Sequence, residues 1–70
     1  MNSFHVYETH PKTGLEVAIF VDDDCVYASC EDDDDFYFWV TLEEDNIIEA
    51  VADEFGDEMV DRLMLREIFK

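Results

Sequence analysis

Seventy residues make one domain, spanning 1–70, near the lower size limit for folding without disulfides or metal. Twenty acidic residues against four basic ones give a formal charge of −16, which excludes DNA, RNA and anionic membranes as direct ligands because their phosphates are repelled. One Trp, three Tyr and six Phe, in a chain that is 49% apolar, exclude a disordered acidic tail.

Residues 4–9 are rich in strand formers that alternate with period two, which predicts a first strand. Residues 10–14 place Pro11 early and Gly14 late, suiting a hairpin loop. In residues 15–21, Leu15, Val17, Ile19 and Val21 share one face of a second strand, with Glu16, Ala18 and Phe20 on the other. Asp22, Asp23 and Asp24 end it, since Asp disfavours strands and favours turns. Residues 25–30 predict a short third strand, and Glu31, Asp32, Asp33, Asp34 and Asp35 a second acidic turn. Residues 36–40 form the fourth and most aromatic strand, with Phe36, Phe38 and Val40 pointing one way and Tyr37 and Trp39 the other. Connections this short predict an antiparallel meander.

The period then changes. Thr41 and Glu44 match a capping box, so a helix is predicted to begin there. Ile47, Ile48, Val51, Ala52 and Phe55 share one side of it, and Asp45, Glu49 and Asp53 form a ridge on the other. Gly56 suits a C-terminal cap. A second helix is predicted over about 58–69, with Glu58 and Asp61 early and the stripe Arg62, Arg66, Lys70 toward its end, complementing the helix dipole. Glu58 and Arg62 are spaced to pair. The predicted fold is α+β, in the order ββββαα: a four-stranded antiparallel sheet followed by two C-terminal helices packed on one face.

Hard-cation chemistry is the first candidate for so many carboxylates. A calcium loop beginning at Asp32 matches at Asp34 and Glu43, but Phe36 and Tyr37 occupy the positions that need an oxygen ligand and a Gly. His5, His10, Cys25 and Cys30 include no close ligand pair for zinc, so no metal or cofactor is expected. Cys25 and Cys30, five apart on a strand, point to opposite faces and read as reduced thiols of a cytoplasmic protein. The chain carries neither a signal-type start nor an apolar stretch long enough to span a bilayer. With no nucleophile motif, phosphate loop or expected pocket, it does not read as an enzyme.

Two surpluses remain. Tyr7, Phe20, Tyr27, Tyr37 and Trp39 fall opposite the strand face of Phe4, Val6, Val17, Ile19 and Phe38, while Leu65 and Phe69 lie off the main stripe of the last helix. Such two-sided apolarity requires either a fully wrapped core or an interface, with a second copy (a homodimer) or with another protein. The acids are also uneven: residues 1–21 hold two, and 22–61 hold seventeen. Asp45, Glu49 and Asp53 recur every four residues, about 6 Å apart along a helix. Ordered carboxylates at such spacing suit a groove built for phosphates, and favour a basic nucleic-acid-binding protein as partner.

In size, charge and lack of catalytic motifs, the chain resembles small phage-encoded DNA mimics: anti-CRISPR proteins, anti-restriction proteins and inhibitors of uracil-DNA glycosylase. The resemblance spans the whole chain and rests on composition rather than on a motif. It implies an inhibitor, acting in the host cytoplasm, that occupies the nucleic-acid channel of a host defence protein. Asp22, Asp23, Asp24, Glu31, Asp32, Asp33, Asp34, Asp35, Asp45, Glu49 and Asp53 would meet the target's basic side chains, with Tyr37 and Trp39 at the rim. The alternative is a small acidic dimeric interaction module, or an antitoxin-like neutraliser of a basic protein, bound through the apolar surplus around Leu65 and Phe69.

Overall fold

Period-two alternation produces the strands it predicts. The computed structural model describes residues 3–69. Its strands are β1 (Phe4–Thr9), β2 (Glu16–Val21), β3 (Cys25–Ser29) and β4 (Phe38–Thr41), paired antiparallel in the order β1-β2-β3-β4. The registers Val6↔Ile19, Ile19↔Ala28 and Ala28↔Phe38 put one alternate set of side chains on a common face. Three short helices follow: α1 (Ile47–Phe55), α2 (Asp57–Arg62) and α3 (Leu65–Ile68). They cover that face alone. Val17, Ile19, Val21, Val26 and Val40 meet Ile47, Val51, Phe55, Val60 and Leu65 in one core.

The boundaries around the fourth strand and the first helix differ from the sequence expectation, each for a physical reason. The fourth strand begins at Phe38, not Phe36, because Phe36 N–H bonds Asp33 O in a turn (3.1 Å) and the Phe36 ring sits edge-on to His10. It extends to Thr41, which pairs with Cys25, so Thr41 is not a helix cap. Asn46 caps α1 instead, its side chain accepting from Glu49 N–H at 3.2 Å. Asp45 therefore precedes the helix, and its carboxylate accepts from Thr41 N–H at 3.2 Å.

The second predicted helix is split in two. Met64 adopts the left-handed conformation (φ 58°, ψ 34°) between α2 and α3. That break turns Leu63, Leu65 and Phe69 all inward, so Leu65 and Phe69 are core residues and not an interface. It also leaves Glu67, which would fall inside a continuous apolar stripe, exposed to solvent.

His10 is the one fully buried polar side chain among the described residues, 1% exposed. Its Nδ1 accepts Lys12 N–H at 3.0 Å, so the ring proton is on Nε2, which donates to Glu54 Oε2 at 2.7 Å. The ring lies against Phe55 (4.9 Å between centroids) and Phe36 (5.6 Å). One imidazole thus ties the β1–β2 loop to the end of α1 and to the β3–β4 loop.

Candidate functional site

In an antiparallel meander, successive connections alternate between the two ends of the sheet. Asp22, Asp23 and Asp24 connect β2 to β3 at one end, whereas residues 31–35 lie in the β3–β4 connection at the other. Their nearest members, Asp24 and Glu31, are seven residues apart along the chain that includes β3, a separation of roughly 20 Å. The two acidic runs are not one patch.

What lies between them is α1. Leu42 N–H bonds Asp24 O at 2.7 Å, tying the first acidic turn to the segment that leads into the helix. At its far end, Glu54 and Phe55 meet His10, and His10 meets Phe36 beside the second acidic turn. Over its nine residues the helix rises about 13 Å. Ile47, Val51 and Phe55 face the core, so Glu49 and Asp53, half a turn away, face outward. Together with Asp45 they line a shallow depression floored by Ala50. The ridge forms as predicted, although a turn rather than the helix supplies Asp45.

The acids differ in what holds them. Asp33 Oδ1 accepts Asp35 N–H at 3.1 Å and shapes its loop as an Asx turn. Asp22 accepts from the Ser3 hydroxyl. Glu49 stands in the first turn of α1, where the helix dipole favours negative charge. Asp53 lies near the opposite end, where Lys12 Nζ donates to its carbonyl oxygen at 3.0 Å.

The described cations are engaged. Arg62 bonds Glu8 at 2.6 Å and, as its spacing predicts, Glu58 at 3.1 Å. Arg66 bonds Asp61 and approaches Asp57 at 4.0 Å. Lys70, the third member of the predicted stripe, lies outside the described residues. Exposed pairs of this kind contribute about 0–1 kcal/mol each. Their main effect is on distribution: the neutralised acids cluster on α2, on the β1 side, away from the α1 ridge.

The aromatic members of the predicted site do not join the ridge. Trp39 is on the sheet face that no helix covers, 52% exposed, and Tyr37 precedes β4, 79% exposed. The α1 carboxylates point away from the sheet on its other side. No flat partner surface can touch Trp39 and the ridge together.

On the uncovered face the aromatic side chains expected there form a continuous row, which no single strand reveals. The registers His5↔Phe20, Phe20↔Tyr27 and Tyr27↔Trp39 place four rings in one row across all four strands. Their centroids are 5.3, 4.9 and 5.2 Å apart and their planes 27°, 7° and 22° from parallel. Tyr7 meets His5 edge-on at 5.6 Å. Cross-strand aromatic pairs stabilise a sheet by roughly 0.2–1 kcal/mol each. His5 completes the row, and only its strand pairing reveals this, because in sequence it is an ordinary strand histidine.

Cys25 is buried at the start of β3. Burial first, then the charges of Asp24 and Asp22, push its thiol above the ordinary range, which keeps it protonated and a poor nucleophile or ligand. Cys25 opens β3 and Cys30 follows its end; both are free thiols, five residues and about 16 Å apart, beyond disulfide reach of one another. Among the described residues, no three His, Cys, Asp or Glu side chains converge as a ligand set. No helix among them is long and apolar enough to cross a membrane. A pocket was not expected in so small a domain, yet an open depression of about 440 Å³ lies between Phe4 and the α2–α3 break, walled by Met64 and Ile68. Compared with protein-family models, curated proteins and solved structures, the chain matches none.

Proposed function

We propose that the protein is an acidic DNA mimic that inhibits a host nucleic-acid-binding protein, such as a CRISPR effector or a restriction enzyme, by occupying its DNA channel. The observation that carries this reading is the exposed carboxylate track along the outer side of α1, between two acidic turns at opposite ends of the sheet. The backbone extends over 31 × 20 × 20 Å. A channel that encloses a duplex touches it from several sides, so carboxylates at both ends and along one flank suit such a channel better than a flat surface. Long-range attraction between a charge of −16 and a basic channel speeds encounter and disfavours other acidic proteins.

The test is DNA binding by a panel of CRISPR effectors and restriction endonucleases, with and without the protein. Inhibition of at least one is expected, weakening as salt rises. The triple substitution Asp45→Lys, Glu49→Lys, Asp53→Lys is expected to cut that inhibition by roughly tenfold or more while the fold is retained. Inhibition of no member, or undiminished inhibition by the triple variant, would overturn the proposal.

The uncovered aromatic face favours a second reading: a small interaction module that neutralises a basic protein, with apolar contacts carrying the affinity and charge steering the approach. Its binding would depend weakly on salt and would survive the triple substitution. Leu65 and Phe69 take no part in it, because they are in the core.

A further inference from the structure

We infer that the uncovered sheet face is a docking surface for arginine side chains of a basic protein partner; this rests on the reading, shared by both functions above, that the partner is basic. The row His5–Phe20–Tyr27–Trp39 offers stacked rings to solvent, with Trp39 52% and Tyr7 64% exposed. The next rung of the sheet pairs Tyr7 with Ala18 and Ala18 with Ser29. Two small side chains beside a row of large ones leave a step, and the surface dips there into a depression of about 230 Å³. Ala18 floors it, Tyr7 and Phe20 wall it, and Glu16, Glu31 and Asp32 rim it.

Ring faces carry partial negative charge, and the rim carries full charge, so the occupant must be cationic. A second copy would bring the same three carboxylates against their own counterparts. Nucleobases would stack on the rings, but their phosphates would meet a molecule of charge −16. Among cationic side chains, guanidinium fits best. It is planar, stacks on aromatic faces, is weakly hydrated and bonds carboxylates with two parallel N–H donors, whereas an ammonium is a strongly hydrated point charge. Rings and rim together therefore select arginine over lysine, which charge alone would not do.

The probes are an arginine-rich and a lysine-rich peptide of equal length and charge, titrated at physiological salt. Trp39, the only Trp in the chain, reports contact with the row by its fluorescence, and labelled-peptide anisotropy reports affinity. The arginine peptide is expected to bind about tenfold tighter and to perturb Trp39. The paired substitution Tyr7→Ser, Trp39→Thr is expected to bring the two peptides level. Should that variant fail to fold, Glu16→Gln with Glu31→Gln leaves every ring in place and is expected to weaken arginine-peptide binding about threefold. Equal binding of the two peptides to the wild type would overturn the inference. So would self-association that the ring variant abolishes, or tighter binding of a single-stranded oligonucleotide than of the arginine peptide. Equal binding of the two peptides to a wild-type protein that still inhibits a nuclease would sink this inference alone; the α1 triple variant decides the function separately.

Discussion

His10 joins three segments that are distant in sequence, and does so through every polar atom it has. Nδ1 holds the hairpin loop through Lys12 N–H, Nε2 holds α1 through Glu54, and the ring fills space between Phe36 and Phe55. Truncation would leave a cavity and an unmatched backbone N–H, so His10→Ala is expected to cost about 3 kcal/mol. A domain of this length has about 4–10 kcal/mol in total, so urea denaturation would show the loss plainly. A cost below about 0.5 kcal/mol would show that the imidazole does not pin the three segments together. Nothing local marks this histidine in the sequence. Beside Pro11 it reads as a loop residue, because its partners are brought to it only by the turn of the sheet and the return of α1.

At the scale of elements, strand existence was legible and helix ends were not. Thr41 with Glu44 and Asn46 with Glu49 both present a capping residue three positions before a Glu. Local chemistry cannot choose between them. Pairing of Thr41 with Cys25 chooses, by keeping Thr41 in the sheet and handing the cap to Asn46. The α2–α3 break has the same character. The segment from 58 to 69 holds no Gly or Pro to stop a helix, yet a straight helix would leave Leu65 and Phe69 outside the core. Their burial, at 0% and 9% exposure, outweighs the roughly 1–2 kcal/mol that a left-handed Met costs. Met64 is itself 58% exposed and contributes little packing. Met64→Gly is therefore expected to stabilise the fold by about 0.5–1 kcal/mol, the relief of strain exceeding the entropy of a glycine. A lower urea midpoint for that variant would count against the strain.

For the whole molecule, charge is segregated as well as abundant. Arg62 and Arg66 pair with acids on α2 and β1, while Glu49 and Asp53 stand exposed on the outer side of α1. Repulsion among these carboxylates opposes folding at low ionic strength and is screened at a Debye length of about 8 Å in physiological salt. The melting temperature is expected to rise between those conditions, by roughly 4–8 °C for each kcal/mol of repulsion relieved. A flat or falling melting curve would show that the acids are spaced well enough not to strain the fold. The aromatic face adds a second asymmetry, because helices cover one side of the sheet and five rings stand on the other.

The sequence alone determined the four strands, their meander, the inward set Val17, Ile19 and Val21, and the outward placing of Glu49 and Asp53 on the first helix. These follow from side-chain periodicity and turn chemistry, which act between near neighbours. Only the tertiary structure decided that the two aspartate-rich turns stand at opposite ends of the sheet, that α1 carries negative charge between them, and that Trp39 faces away from that track. Register aligned His5, Phe20, Tyr27 and Trp39 into one row, and core packing broke the last helix at Met64. Those outcomes depend on which distant residues share a face, and that is set by burying the largest apolar area against the sheet.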